Sequence, residues 1–176
     1  LSNKANQPFE NKMNNIQIVF NGEIYNYLEL KKELKKYKIN FHTNSDTEVV
    51  LNSYIKWGID FVNKLRGMFS IVIFDNKKNK ILFFRDHFGQ KPLYYSFYNN
   101  GLIISSEIKD ILFIKKKFEL NQKSIDKYLI RGWTDDSHET FYKDIHSLPA
   151  ATYGEYTKKE FKIKKYWKLK YKDNDY

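Results

Sequence analysis

The stretch that decides the fold is residues 16–27, which read Ile-Gln-Ile-Val-Phe-Asn-Gly-Glu-Ile-Tyr-Asn-Tyr. Residues 16–20 form a short run rich in β-branched side chains, which predicts a strand. Asn21-Gly22 is typical of a tight turn, so we expect the strand to enter a turn there. Apolar residues then recur at helical spacing, which predicts an amphipathic helix through Tyr27, Leu30, Leu34 and Tyr37.

Further strands and helices alternate along the rest of the chain. Ser45-Asp46-Thr47-Glu48 has the capping-box pattern and predicts a second helix that ends at Trp57-Gly58. The patterning also predicts a short helix at 61–65, strands at 68–74, 81–84, 92–98 and 102–105, helices at 108–113 and 122–131, and a last hairpin over 151–156 and 160–167. Paired strands that alternate with helices predict a layered α+β domain.

Length and composition indicate one folded domain, or one domain with a fragment of the next. The chain has 176 residues, of which 41% are hydrophobic and 18% aromatic, so it carries too much large apolar surface for a disordered chain. It contains no cysteine. Disulfides, thiolate metal sites and a cysteine nucleophile are therefore excluded from these residues.

The basic charge first suggests an acidic partner. Lys and Arg number 31 against 21 Asp and Glu, which gives a net charge of +10. The arginines are only Arg66, Arg85 and Arg131, and the lysines are scattered, so we expect a solvated lysine-rich surface and no nucleic-acid partner.

No apolar run suggests a membrane span or signal peptide, and we expect a cytoplasmic protein. The four histidines lack metal-ligand spacing, so we expect no metal.

Five segments carry a specific family resemblance. They are residues 20–27 (FNGEIYNY), 45–49 (SDTEV), 65–70 (LRGMFS), 85–95 (RDHFGQKPLYY) and 105–109 (SSEIK). In this order they resemble the class II glutamine amidotransferase domain, an N-terminal nucleophile glutaminase, and within that class the glutamine-hydrolysing asparagine synthetases. The Leu-Pro at 148–149 and the Tyr-Trp at 166–167 resemble the end of that domain.

The resemblance implies a four-layer αββα sandwich of the N-terminal nucleophile hydrolase type. In the family, an arginine-containing strand segment that binds the glutamine carboxylate precedes the stretch seen here at residues 1–8. We therefore expect the first strand region to be missing. Residues 1–167 are expected to form a partial glutaminase domain, and residues 168–176 the start of a linker to an absent synthetase domain.

The resemblance also implies hydrolysis of the glutamine side-chain amide by an N-terminal cysteine through a thioester. The ammonia would serve ATP-dependent amidation of aspartate in a C-terminal synthetase domain, which would use ATP and Mg²⁺, whereas the glutaminase domain needs no cofactor. The implied partners are L-glutamine, the chain's own synthetase domain and a second copy in a homodimer. Without a cysteine, the chain itself is expected to be inactive.

Four residues match the family's site. Asn21 offers a side-chain amide and Gly22 a backbone N–H to the oxyanion hole, and both belong with Glu23 and Asp46 to the glutamine-binding set. Asp46 matches the carboxylate that binds the substrate ammonium. Each has a structural alternative: Asn21-Gly22 as a plain hairpin turn, Glu23 as a surface charge, and Asp46 as a helix-start residue favoured by the helix dipole.

Two other polar pairs in these motifs are predicted to be structural. Arg85-Asp86 is expected to tie a strand end to a loop by charge-assisted hydrogen bonds, and Ser105-Ser106 lacks the surroundings of a serine nucleophile. Three functional alternatives stay open. They are another class II amidotransferase that forms glucosamine phosphate or phosphoribosylamine, a sugar-modifying or β-lactam-forming relative of the asparagine synthetases, and a non-catalytic interaction module.

Overall fold

The computed structural model describes residues 6–134 and 137–170. Its strands are β1 (Phe9–Asn11), β2 (Ile16–Ile24), β3 (Gly67–Asp75), β4 (Lys80–Arg85), β5 (Tyr94–Tyr98), β6 (Gly101–Ser105), β7 (His146–Ser147), β8 (Thr152–Thr157) and β9 (Phe161–Lys165). Its helices are α1 (Tyr27–Lys35), α2 (Asp46–Trp57), α3 (Ile108–Lys115) and α4 (Gln122–Arg131), with a 3₁₀ helix at Gly58–Lys64.

Two antiparallel sheets form the centre of the molecule. One has six strands in the order β1-β2-β3-β4-β8-β9, and the other has three in the order β6-β5-β7. Helices α1 and α2 share one apolar core with the outer face of the six-stranded sheet. A second core, which includes Phe83, Tyr95 and Leu148, lies between the sheets, and α3 contacts β5 and β6. The expected αββα sandwich is therefore confirmed.

The prediction of a tight turn at Asn21-Gly22 was wrong. Strand β2 continues through both residues to Ile24 and pairs with β3 from Ile16, opposite Asp75, to Ile24, opposite Gly67. An Asn-Gly pair favours a turn only by local preference, and a continuous backbone ladder with a neighbouring strand overrides that preference. The strand thus carries the whole segment that the sequence divided between a strand and a turn.

Two glycines bring the ends of β2 and β3 unusually close. A Cβ atom on Gly22 would meet the backbone carbonyl of Met68, and a Cβ on Gly67 would meet the carbonyl of Glu23. The two contacts are nearly reciprocal across the same pair of strands. Side chains at either position would push the strands apart at the point where β2 ends.

Most other elements match their prediction, and a few differ. The hairpins β3–β4, β5–β6 and β8–β9 and all four α-helices lie where the patterning placed them. Strand β1 was not predicted, and the short helix expected at 61–65 is a 3₁₀ helix that begins at Gly58. Ser45 caps α2 by accepting from the Thr47 amide, but Glu48 bonds to the preceding loop and not to Ser45. Most of the predicted linker, residues 171–176, lies outside the described residues.

The close contact at Gly67 predicts a position-specific loss of stability. Gly67→Ala places a methyl group against the β2 backbone, so we expect the free energy of unfolding to fall by about 1–3 kcal/mol. Gly101→Ala is the matched control, because its Cβ would lie at an ordinary 3.4 Å from the Tyr98 carbonyl. Urea denaturation of both variants measures the difference, and equal stabilities would contradict a tight β2–β3 contact.

Candidate active site

The second half of β2 presents polar side chains on the face opposite the helices. Ile18, Phe20 and Ile24 are buried in the core shared with α1 and α2, and side chains alternate along a strand. Asn21 therefore projects from the other face, and both Asn21 and Glu23 are exposed. One short segment thus anchors itself in the core and displays two of the predicted site residues.

Asn21 bridges the two sheets. Its side-chain Nδ2 donates to the hydroxyl of Ser106 at 3.2 Å, and Ser106 directly follows β6 of the three-stranded sheet. The hydroxyl of Ser70, which lies opposite Asn21 on β3, is 3.5 Å from the Ser106 hydroxyl. This arrangement fixes the orientation of the Asn21 amide at the edge of the space between the sheets.

Asp46 is held against the end of β2. It is the first residue of α2, and its Oδ2 accepts a hydrogen bond from the backbone N–H of Ile24 at 3.2 Å. Glu23 and Asp46 line the same groove of about 1240 Å³, which runs between α1 and residues 38–46. Asn21, Gly22 and Glu23 are consecutive on β2 and Asp46 is bonded to the end of that strand, but of the four only Glu23 and Asp46 line this groove.

Three contributors to this site carried no sequence signal that assigned them to it. The Gln7 side chain accepts from the backbone N–H of Phe20 at 2.6 Å and donates to its carbonyl at 2.8 Å, so it pairs with β2 as a strand would. Ser106 bonds to Asn21 from the other sheet, and the Ser70 hydroxyl on β3 lies 3.5 Å from the Ser106 hydroxyl. Their roles depend on contacts between distant residues, which spacing along the chain cannot show.

Arg85 and Asp86 have the structural role expected of them, although each binds separate partners. The Arg85 guanidinium donates to the carbonyls of Gly89, Lys91 and Leu148 at 2.8–3.0 Å and to the Ser147 hydroxyl at 2.9 Å. The fully buried Asp86 carboxylate accepts from the amides of Phe88, Gln90 and Lys91 at 2.9–3.0 Å. Charged groups fix the loop that follows β4, because such hydrogen bonds are the stronger ones.

His87 sits on this loop among aromatic rings. Its ring lies 5.4 Å from that of Tyr166, 5.1 Å from that of Trp167 and 6.3 Å from that of Phe69, all edge to face. Burial lowers the pKa of His87, and the nearby Asp86 carboxylate opposes this only in part. The folded protein therefore favours the neutral imidazole.

The lowered pKa of His87 predicts a pH-dependent loss of stability. Because the folded pKa lies below the unfolded value of about 6.5, the unfolded chain takes up the proton more readily, and stability falls as the pH drops through that range. His87→Phe keeps an aromatic ring and removes the titration. Thermal unfolding measured between about pH 7.5 and pH 5.5 should show the melting temperature of wild type falling more than that of the variant as the pH drops. An equal fall in the two melting temperatures would contradict this prediction.

A second cavity, of about 240 Å³, is lined in part by Arg85. Tyr94, Trp133 and Phe141 contribute aromatic walls to it, and none of the four predicted site residues lines it.

Within residues 6–134 and 137–170, no group of three or more His, Asp or Glu side chains is placed to hold a metal ion. No helix in the described part of the chain is long and apolar enough to cross a bilayer.

Known proteins resemble this chain in sequence and in fold. Residues 1–167 match the family described as a glutamine amidotransferase domain. The chain is 40% identical over 170 residues to asparagine synthetase (glutamine-hydrolyzing) 2 of Bacillus subtilis strain 168, covering 93% of this chain and 22% of that protein. It is 33% identical over 174 residues to amidase chry2 of Gibberella zeae, covering 98% of this chain and 25% of that protein.

A solved structure shares the fold at low identity. Glutamine phosphoribosylpyrophosphate amidotransferase from B. subtilis, complexed with ADP and GMP, superposes with a TM-score of 0.62 and 16% identity, over 90% of this chain and 31% of that one. At this identity the match supports the fold alone. The chain thus spans no more than about a third of each of these three proteins.

Proposed function

The chain belongs to the class II glutamine amidotransferase domain family. We propose that it binds L-glutamine as part of a glutamine-dependent asparagine synthetase. In that protein, ammonia released from the glutamine side-chain amide would be used for ATP-dependent amidation of aspartate. ATP and Mg²⁺ would act in a synthetase domain outside these residues, and this domain would need neither.

The observation that carries the proposal is the joint position of Asn21 and Asp46 at the end of β2. Attack on the amide carbon of glutamine places negative charge on the amide oxygen, and a fixed N–H donor aimed at that oxygen lowers the barrier. The Asn21 amide, which also donates to Ser106, would be such a donor through its second N–H. Gly22 would add its backbone N–H.

The acidic side chains near Asn21 suit the other end of the substrate. Asp46 and Glu23 line one groove, and Asp46 is attached to the strand that carries Asn21. A carboxylate in this groove would bind the α-ammonium group of glutamine by a charge-assisted hydrogen bond. Two groups on one strand end would thus hold both ends of a single amino acid.

The chain contains no cysteine, so it would supply the oxyanion donors and the ammonium site without the nucleophile. In the family mechanism the thiolate attacks the amide carbon, ammonia leaves, and a thioester remains that water then hydrolyses. The groups proposed here act on the substrate oxygen and ammonium. They do not replace the thiolate.

A second candidate function is supported by the amidase relative, which matches 98% of this chain. The same glutamine pocket would then serve a related amidotransferase with a different ammonia acceptor. The residues around β2 would keep their roles, because they would contact glutamine and not the acceptor. The acceptor would be chosen by parts of the protein outside this domain.

Removal of the Asn21 amide should separate glutamine-dependent from ammonia-dependent activity. In the full-length protein we expect Asn21→Ala to lower the glutamine-dependent rate by about 100- to 1000-fold, the usual loss for one oxyanion donor. Synthesis from added ammonium chloride should be unchanged, because it does not use this site. Steady-state assays with each nitrogen source measure both rates.

Asn76→Ala is the matched control for Asn21→Ala. Asn76 lies in the exposed turn between β3 and β4, where its side chain bonds to Asn15. It should leave both activities intact. An equal loss of both activities in Asn21→Ala would contradict the assignment of Asn21 to glutamine hydrolysis.

The 176-residue chain by itself should not hydrolyse glutamine. Without a thiolate no thioester can form, and the oxyanion donors alone have no attacking group to assist. Ammonia release from glutamine, followed with purified chain by a coupled glutamate dehydrogenase assay, should equal the rate in buffer. A protein-dependent rate would show that another group in the chain attacks the amide.

A further inference from the structure

The loop that leads into Asp46 is held by a buried carboxylate. Glu48 is only 3% exposed. Its Oε1 accepts from the His42 amide at 2.8 Å, and its Oε2 accepts from the Thr43 amide at 2.7 Å and the Thr43 hydroxyl at 2.6 Å. An ionised carboxylate can accept all of these bonds at once, and such bonds are short and strong.

The Thr43 hydroxyl extends this network to the start of α2. It donates to Glu48 and accepts from the backbone N–H of Ser45 at 3.1 Å. Ser45 in turn accepts from the Thr47 amide at 3.1 Å and caps the helix. A continuous set of hydrogen bonds therefore fixes the backbone on both sides of Asp46.

Lys31 holds the same loop from the opposite side. From α1, its Nζ donates to the Thr43 carbonyl at 2.9 Å and to Asn44 Oδ1 at 3.1 Å. Residues 42–45 are thus fixed between a carboxylate on α2 and an ammonium on α1. Both groups bond to the loop that precedes Asp46 and leave the contact of Asp46 with β2 undisturbed.

The result is an Asp46 carboxylate with a defined direction. One oxygen accepts from the Ile24 N–H at 3.2 Å, and a carboxylate has acceptor sites for about four hydrogen bonds. Asp46 also lines the groove beside Glu23. Its remaining acceptor sites are therefore available to a cation in that groove, provided the loop keeps its position.

We infer that Glu48 is a positioning residue for glutamine recognition, which holds residues 42–45 so that Asp46 faces the substrate α-ammonium. The inference rests on the proposed function, since it assumes that Asp46 binds that group. Glu48 does not touch the substrate. Its effect should therefore fall on the preference for an α-amino group and not on cleavage of the amide.

The test compares glutamine with glutaramic acid, which is glutamine without its α-amino group, in the full-length protein. Glu48→Gln places an NH₂ donor against the loop's own donors and should loosen it. We expect its KM for glutamine to rise about tenfold, the order expected when one charge-assisted hydrogen bond is weakened. The kcat and the KM for glutaramic acid should stay close to wild type.

Three further variants make the result specific. Thr43→Val keeps the side-chain shape and removes the hydroxyl that links Glu48 to Ser45, so it should also raise the KM for glutamine relative to the KM for glutaramic acid. It replaces Glu48→Gln in the test if that variant does not fold. Glu33→Gln is the control, because that carboxylate pairs with Lys64 at the surface. Asp46→Asn should abolish the preference for glutamine over glutaramic acid.

The outcomes separate two failures. Suppose that Asp46→Asn loses the preference for glutamine over glutaramic acid. If Glu48→Gln and Thr43→Val then keep that preference, or lower kcat equally for both substrates, the positioning role of Glu48 is wrong and the glutamine site stands. If Asp46→Asn keeps the preference, the proposed role of Asp46 fails and this inference fails with it. Loss of preference in Glu48→Gln and Thr43→Val but not in Glu33→Gln supports the positioning role.

Discussion

The close backbone contact between β2 and β3 at Gly22 and Gly67 is the constraint on which the rest of the site depends. Because neither residue has a side chain, the two strands stay paired until Ile24. The last N–H of β2 is then in place to bond Asp46 at the start of α2. A bulky residue at either glycine would separate the strands where the polar groups converge.

Side chains alternate between the two faces of β2, so this one strand contributes residues to both the core and the site. Ile18, Phe20 and Ile24 bury their side chains against the helices, which fixes the strand in position. Asn21 and Glu23 lie between them in sequence and are exposed, and Asn21 projects from the opposite face. The position of the polar groups is thus determined by apolar packing on the other side of the same sheet.

Buried carboxylates recur as anchors for the loops of this domain. Asp86 accepts three loop amides after β4, and Glu48 accepts two before α2. Asp75 at the end of β3 accepts from the Tyr54 hydroxyl at 2.7 Å and the Lys78 amide at 3.0 Å. Each acid is desolvated, so its hydrogen bonds are strong and loss of its partners is costly. Each of these loops is therefore tied to the fold by hydrogen bonds to a buried acid.

The helices and the three hairpins could be predicted from the amino-acid sequence, because apolar spacing and turn residues act over a few neighbouring positions, and the family could be predicted from its motifs. Tertiary structure alone decided that Asn21-Gly22 continues a strand, since pairing with β3 outweighs the local preference for a turn. It also decided that Glu48 bonds to the loop and that Ser106, 85 residues away, orients Asn21. Contacts between distant residues form only when the sheets pack, and spacing along the chain does not encode them.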